Sequence, residues 1–242
     1  MKFTLISLFP EKIQPWLEFG PISSAIQAGS LETVFLNLKH YAKTPKHVDD
    51  YPFGGGPGMV MRPEPLARAI TDARQGRADA FVMLTSARGK RLDQATVKQL
   101  ARKEHLIVVC GRYKDVDNRV LDWVDMEFSL GDFVLSGGEI PALALLDAVA
   151  RLLPGALGSP ESGDDDSFQS DILGPPSYTR PPEYMGKRVP AVLLSGDHGK
   201  VRGWRRKQAL LYTLRQRPDL LVGADPEYFD ILREITKERQ GE

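Results

Sequence analysis

The chain has 242 residues, enough for one large domain or a medium domain with a smaller one, and its 42% hydrophobic and 26% charged content is that of an ordinary globular protein. With 32 basic and 32 acidic residues the formal net charge is zero, so no chain-wide excess marks a nucleic-acid binder. Cys110 is the only cysteine, which excludes an intrachain disulfide; the apolar opening of residues 1–10 is too short to span a bilayer and lacks a small-residue cleavage site, so a cytoplasmic protein with no membrane partner is expected.

From the N-terminus, residues 2–9 read as a strand, 22–28 as a short helix stopped by Gly29, and 34–38 as a further strand. The glycine cluster YPFGGGPGM, residues 51–59, lacks the Lys-Ser/Thr end of a P-loop, and its polar approach and Pro57 do not suit a dinucleotide fingerprint. What remains is a tight loop that packs close to another backbone. Apolar runs at 80–84, 106–110 and 133–135 read as buried strands, with helical spacing over 93–103 between the first two. Strands alternating with helices predict an α/β domain with a largely parallel sheet. Cys110 ends the second run, where a buried, inert thiol is expected.

Pro141 suits the first position of a helix that runs to about Leu153 and is ended by Pro154 and Gly155. That helix is apolar nearly all round, so it needs cover on more than one side, from its own sheet and from a second subunit. Residues 159–177 turn to Gly, Pro, Ser and Asp, the composition of a flexible linker. The chain is thus divided into a domain over 1–158, the linker over 159–177, and a small helical domain over 178–242, with its clearest helices at 203–215 and 226–239.

The balanced charge is segregated. Residues 178–217 hold ten Lys and Arg against Glu183 and Asp197, while Glu161, Asp164, Asp165, Asp166 and Asp171 cluster just upstream. A solvated helical face and a phosphate-binding surface both account for the basic stretch; Trp204 and Tyr212 within it add rings on which a base could stack.

Three loops follow predicted strands: TSARGKRLDQ from Thr85, CGRYKDVDNR from Cys110 and SLGDFVLSGGEIPA from Ser129. Strand ends gather ligands in open α/β sheets, and Gly89, Gly111, Gly131, Gly137 and Gly138 let backbone approach a flat heterocycle. Each loop alone reads as a turn. ISLFP, VDDYPFGGGPGM, CGRY, SLGDFVLSGGEIPALALLDAVARLLPG, DDDSF and YTRP, however, follow one another as in the bacterial tRNA (guanine-N1)-methyltransferases. The chain resembles that family, the TrmD family of the SPOUT superfamily, over nearly its whole length.

The resemblance implies a deep trefoil knot whose loops wrap a bent S-adenosylmethionine, a topology that strand counting could not supply. Carried over position by position, it places the cofactor against Leu84, Ser86, Ala87, Gly111, Tyr113, Leu130, Gly131, Asp132, Phe133, Val134 and Leu135, with Gly137, Gly138 and Pro141 closing the pocket. It makes Asp166 the general base and Arg151 the essential arginine, and puts Ser167 and Arg180 near the target nucleotide, with Trp204 and Arg205 in the RNA-binding domain. It further implies a homodimer with sites at the subunit boundary, acting on the anticodon stem-loop of tRNA at the guanosine 3′-adjacent to the anticodon. Mg2+ is left open, since no ligand pattern assigns it. The chain departs from the family where Lys114 and Asp115 replace the usual Glu-Gly, Ala87 and Arg88 stand for Pro and Gln, and Phe133 for Tyr.

The chemistry agrees with these roles. Guanine N1 has no free lone pair until its proton leaves, which a carboxylate can accept. Negative charge then grows on O6, where a guanidinium stabilises it most in the transition state. Outside the family context, Arg151 could form a surface ion pair with Asp147, and Asp166 would be one more linker acid. A sister SPOUT enzyme would lack the Asp-Ser-Phe linker and the basic helical domain; a non-enzymatic RNA-binding module would bind no cofactor.

Overall fold

The computed structural model describes residues 1–158, 166–222 and 224–240, which fall into two compact units, Met1–Gly158 and Ser159–Glu242. Glu161, Asp164 and Asp165 of the acidic cluster lie outside the described residues.

The first unit is built on a five-stranded sheet of β1 (Lys2–Ser7), β2 (Glu32–Asn37), β5 (Phe81–Arg91), β6 (His105–Val109) and β8 (Met126–Ser129), in the order β2-β1-β6-β5-β8. Every neighbouring pair is parallel. Parallel sheets are covered on both faces, and the strands show it by being apolar on both. Phe3, Leu5, Met83, Leu106 and Val108 face one core, with α1 (Gly20–Gln27), α3 (Gln94–Leu100) and α4 (Glu139–Ala150). Ile6, Val82, Leu84, Ile107 and Val109 face the other, against α2 (Pro63–Arg74). Among the described residues no helix is long and apolar enough to cross a membrane.

A second, three-stranded sheet pairs β4 (Val60–Met61) with β3 (Asp49–Asp50) and with β7 (Asp115–Val116). It brackets the glycine cluster. That loop meets another backbone at its end, where Met59 O accepts the Lys114 amide at 3.0 Å, but its glycines do not: a Cβ at Gly54 or Gly55 would meet nothing within 4 Å, and the nearest atoms to Gly56 and Gly58 belong to the Lys114 side chain. Conformation is what requires glycine at these four positions, since all have φ between 77° and 104°.

Two further expectations fail. Residues 133–135 are not a buried strand: Phe133 is 58% and Val134 97% exposed, and the strand is Met126–Ser129. The apolar run belongs to the loop after it. The helix α4 starts two residues before Pro141, with Gly138 as its N-cap, and ends at Ala150, leaving Arg151 as C-cap. One chain already buries Ala142, Leu145, Leu146, Val149 and Ala150, so only a narrow strip about Ile140, Ala144 and Asp147 is exposed.

The second unit contains a two-residue hairpin of β9 (Glu183–Tyr184) and β10 (Lys187–Arg188), then α5 (His198–Gln216) and α6 (Pro226–Gln240). Asp197 caps α5, its side chain accepting from the Lys200 amide. Part of the stretch expected as a linker belongs to this unit: Ile172 is buried with Ala209, Leu210 and Leu221, and the Leu173 amide donates to Thr213 Oγ1 at 3.0 Å.

One buried polar contact predicts a pH response. His105 on β6 is fully buried, its Nε2 2.9 Å from Thr4 Oγ1, while Nδ1 has no partner. Burial, with Lys2 and Arg77 nearby, holds this imidazole below its ordinary value. The fold therefore favours the neutral ring. Its stabilisation is complete above the unfolded value of about 6.5 and is lost as pH falls below it, because the unfolded chain takes up the proton first. The melting temperature followed by circular dichroism is expected to fall between about pH 7.5 and 5.5, and to fall less in a Thr4→Val, His105→Leu double variant.

Candidate active site

The strand order sends three connections to one end of the sheet. β5 does not stop at Leu84 but continues to Arg91 after an irregularity, with both Thr85 and Lys90 registered against Phe128. Residues 86–89 are thereby pinched into a small loop. β6 lies between β1 and β5 and delivers Cys110 and Gly111 beside Thr85, and the chain returns past both at Gly137 and Gly138 before entering α4.

Contacts at this crossing are backbone-close. Thr85 Oγ1 donates to Val109 O at 3.3 Å and accepts the Gly111 amide at 2.8 Å, and the Gly138 amide donates to Gly111 O at 2.7 Å. A Cβ at Gly111 would lie 2.7 Å from Thr85 O. One at Gly138 would overlap Thr85 Oγ1 and come within 2.8 Å of Cys110 Cα. These glycines bring chain segments together, a role different from admitting a ligand. Cys110, at the crossing, is buried, and its thiol is pushed well above the usual range by that burial and by Glu139, against the opposing effect of Arg112.

Around the crossing lies a cleft of about 330 Å3. It is lined by Ser86, Ala87, Gly111, Tyr113, Leu130, Gly131, Phe133, Val134, Leu135, Gly137, Gly138 and Pro141, all of them residues implied by the family resemblance. Leu84 and Asp132 do not line it: Leu84 is buried in the core below, and Asp132 is exposed. Thr85, Arg88, Arg112, Lys114, Asp115, Ser129 and Ser136 of the three loops, and Phe128 just before the third, line it in addition to the residues carried over position by position. Thr85 had one signal in the sequence, a polar residue closing an apolar strand run.

The charged groups of the cleft are mostly paired. Arg112 bonds Glu139 at 3.1 Å and lies over the Phe9 ring, while Glu139 also accepts from Ser7 Oγ at 2.9 Å. Glu139 sits in the first turn of α4, where a carboxylate suits the helix dipole. Arg88 bonds Asp115 at 3.1 Å, joining two positions at which the resemblance led us to expect departures from the family pattern. Tyr113 adopts φ of 62°, rare for a bulky residue, and burial with Asp49 nearby raises its phenol above the usual value while Arg112 opposes.

The other anticipated residues lie elsewhere. Arg151 is half-buried at the end of α4, its amide donating to Asp147 O at 3.1 Å, and does not line the cleft. In the second unit, Asp166 lines a cavity of about 340 Å3 with Arg202, Arg205, Arg206 and Tyr228. Ser167 Oγ accepts the Gly174 amide at 2.9 Å, Arg180 is exposed, and Trp204 is tilted against Tyr178 with ring centroids 6.2 Å apart.

A cleft at the ends of parallel strands is shared by many enzymes, and comparison with known proteins narrows the choice. The family described as tRNA (guanine-1)-methyltransferase TrmD matches residues 1–223. This chain belongs to that family. A tRNA (guanine-N(1)-)-methyltransferase of Moorella thermoacetica is 48% identical over 248 residues, covering 100% of this chain and 99% of that protein. One of Geobacter sulfurreducens is 47% identical, with both chains covered completely. The crystal structure of the tRNA (m1G37) methyltransferase from Aquifex aeolicus superposes with a TM-score of 0.74 at 41% identity, covering 92% of this chain and 95% of that one. The glycine-rich crossing forms part of the cleft's lining, so its packing carries a sharp expectation. Gly138→Ala forces Thr85 or the Cys110 backbone to move and should destabilise the first unit by about 1–3 kcal/mol in denaturant unfolding. An unchanged unfolding midpoint would contradict the crossing geometry.

Proposed function

We propose that the chain transfers a methyl group from S-adenosylmethionine to N1 of the guanosine 3′-adjacent to the anticodon of tRNA, position 37, and that the cleft of the first unit, within a deep trefoil knot, is where the cofactor sits. The observation that carries this reading is the meeting of three loops in one cleft of a chain of this family. The residues suit the group. Phe133 and Val134 offer apolar surface that the chain leaves uncovered, fit for a purine, and loop backbone supplies polar groups beside it. When bound, S-adenosylmethionine supplies an electrophilic methyl on its sulfonium.

In this reading Asp166 accepts the N1 proton and Arg151 stabilises the charge that develops on O6. Ser167, Arg180, Trp204 and Arg205 hold the nucleotide and its neighbours. The basic face of α5 receives phosphates, and binding therefore weakens as salt rises. A flipped base is cheap to obtain in an anticodon loop, where it is already unpaired. The working form is a homodimer whose interface includes the exposed strip of α4, with Arg151 of one chain serving Asp166 of the other.

The direct test incubates the protein with labelled S-adenosylmethionine and unmodified tRNA transcripts and analyses the nucleosides. 1-Methylguanosine is the expected product; label on another base would favour a sister SPOUT enzyme, and absence of cofactor binding by calorimetry would favour an RNA-binding module. Asp166→Asn is expected to keep cofactor affinity and lose about a hundredfold or more in single-turnover rate, as removal of a general base does. For the dimer, differently tagged Arg151→Ala and Asp166→Ala subunits are combined. A shared site leaves one intact site in the mixed dimer and restores up to about half of the wild-type rate, whereas a site built from one chain restores none.

A further inference from the structure

Five cations surround the cleft and the pocket beside it, and four are held by carboxylates. Arg112 is held by Glu139, Arg88 by Asp115, Arg62 by Asp50 and Glu64 at 3.4 and 3.5 Å, and Arg119 by Asp117 at 2.8 Å. Lys114 makes no ion pair among the described residues. It is also the residue that, with Asp115, lines both cavities: the cleft, and a neighbouring pocket of about 880 Å3 that opens toward Tyr51 and Phe53.

Its position is fixed by the backbone on either side. The chain bends at Tyr113, whose φ is left-handed, and the Lys114 amide donates to Met59 O at 3.0 Å, tying it to the end of the glycine loop. From there the side chain runs along that loop. Its Cβ lies 3.6 Å from where a Cβ of Gly58 would be, and its Nζ 3.5 Å from that of Gly56. The ammonium thus lies at the glycine-loop side of the second pocket. The pocket's carboxylates, Asp50, Glu64, Asp115 and Asp117, are already engaged by arginines, which leaves the Lys114 charge for an anion from outside.

We propose that Lys114 is a binding residue for a backbone phosphate of the RNA, placed between the cofactor cleft and the neighbouring pocket, both of which it lines. The proposal rests on the methyltransferase reading and adds to it a contact made by Lys114. Exposed Tyr51 and Phe53 in the same pocket, 79% and 101% exposed, offer aromatic faces to nucleotides and favour RNA as the source of the anion over the cofactor's own carboxylate.

The test compares wild type with Lys114→Met, Lys114→Glu and Lys114→Arg, using unmodified tRNA transcripts for turnover and binding and S-adenosylhomocysteine for calorimetry. Loss of one charged contact should raise KM for tRNA about tenfold in Lys114→Met, more in Lys114→Glu, and leave kcat nearly unchanged, with Lys114→Arg restoring wild-type behaviour. The slope of log affinity for tRNA against log salt should fall by about one in Lys114→Met. Unaltered KM and salt slope would overturn the proposal, as would a loss confined to S-adenosylhomocysteine affinity, which would assign Lys114 to the cofactor carboxylate. A wild-type protein that methylates no tRNA would instead remove the reading on which the proposal rests.

Discussion

At Thr85, Gly111 and Gly138, three segments far apart in sequence come so close that no room is left for one additional carbon. A single hydroxyl holds the first two together, bridging the carbonyl at the end of β6 and the amide just beyond it, and the third is tied by the Gly138 amide to Gly111 O. The shape of the cleft in the first unit depends on that closeness. The loops reach one cleft because their stems are joined at this point, and α4 begins where it does because Gly138 is held there.

The same constraint explains how the cleft can present apolar side chains to solvent without losing order. Phe133 and Val134 are exposed, yet the loop that carries them is anchored at one end by the reciprocal bonds of Ser129 Oγ with Gly131 and at the other by the Gly138 crossing. Preorganised apolar surface of this kind suits a ligand whose ring must be held without paying again for loop ordering.

Much of the architecture was legible in the sequence where two-sided burial writes a continuous apolar run, as in β1, β5 and β6, and where a cap or breaker marks an end, as at Gly29. The strand β8 was missed because it is an edge strand, MEFS, with too few apolar residues, while Phe133–Leu135 beyond it has the composition of a strand but is loop surface. The helix α2 was missed because only five of its twelve residues are buried, and they are interspersed with Pro63, Glu64, Arg68, Asp72 and Arg74. For the site, spacing alone gave glycine loops at strand ends; the identities of the lining residues came from the family pattern. Nothing in the composition around Asp166 distinguishes it from Asp164 or Asp165, and the Arg88–Asp115 pair, 27 residues apart in sequence, becomes visible only in three dimensions.

The placement of β6 also bears on how the chain is made. Lys2 pairs on one side with Glu32 and on the other with His105, so during synthesis β1 keeps one edge open until more than a hundred residues have followed Lys2. No hairpin links adjacent strands of this sheet, and each contact closes a long loop, which places the fold among those that form slowly. During synthesis β1, with Phe3, Leu5 and Ile6, is an exposed apolar edge, the kind of segment that recruits chaperones or misassociates before its partner strand arrives.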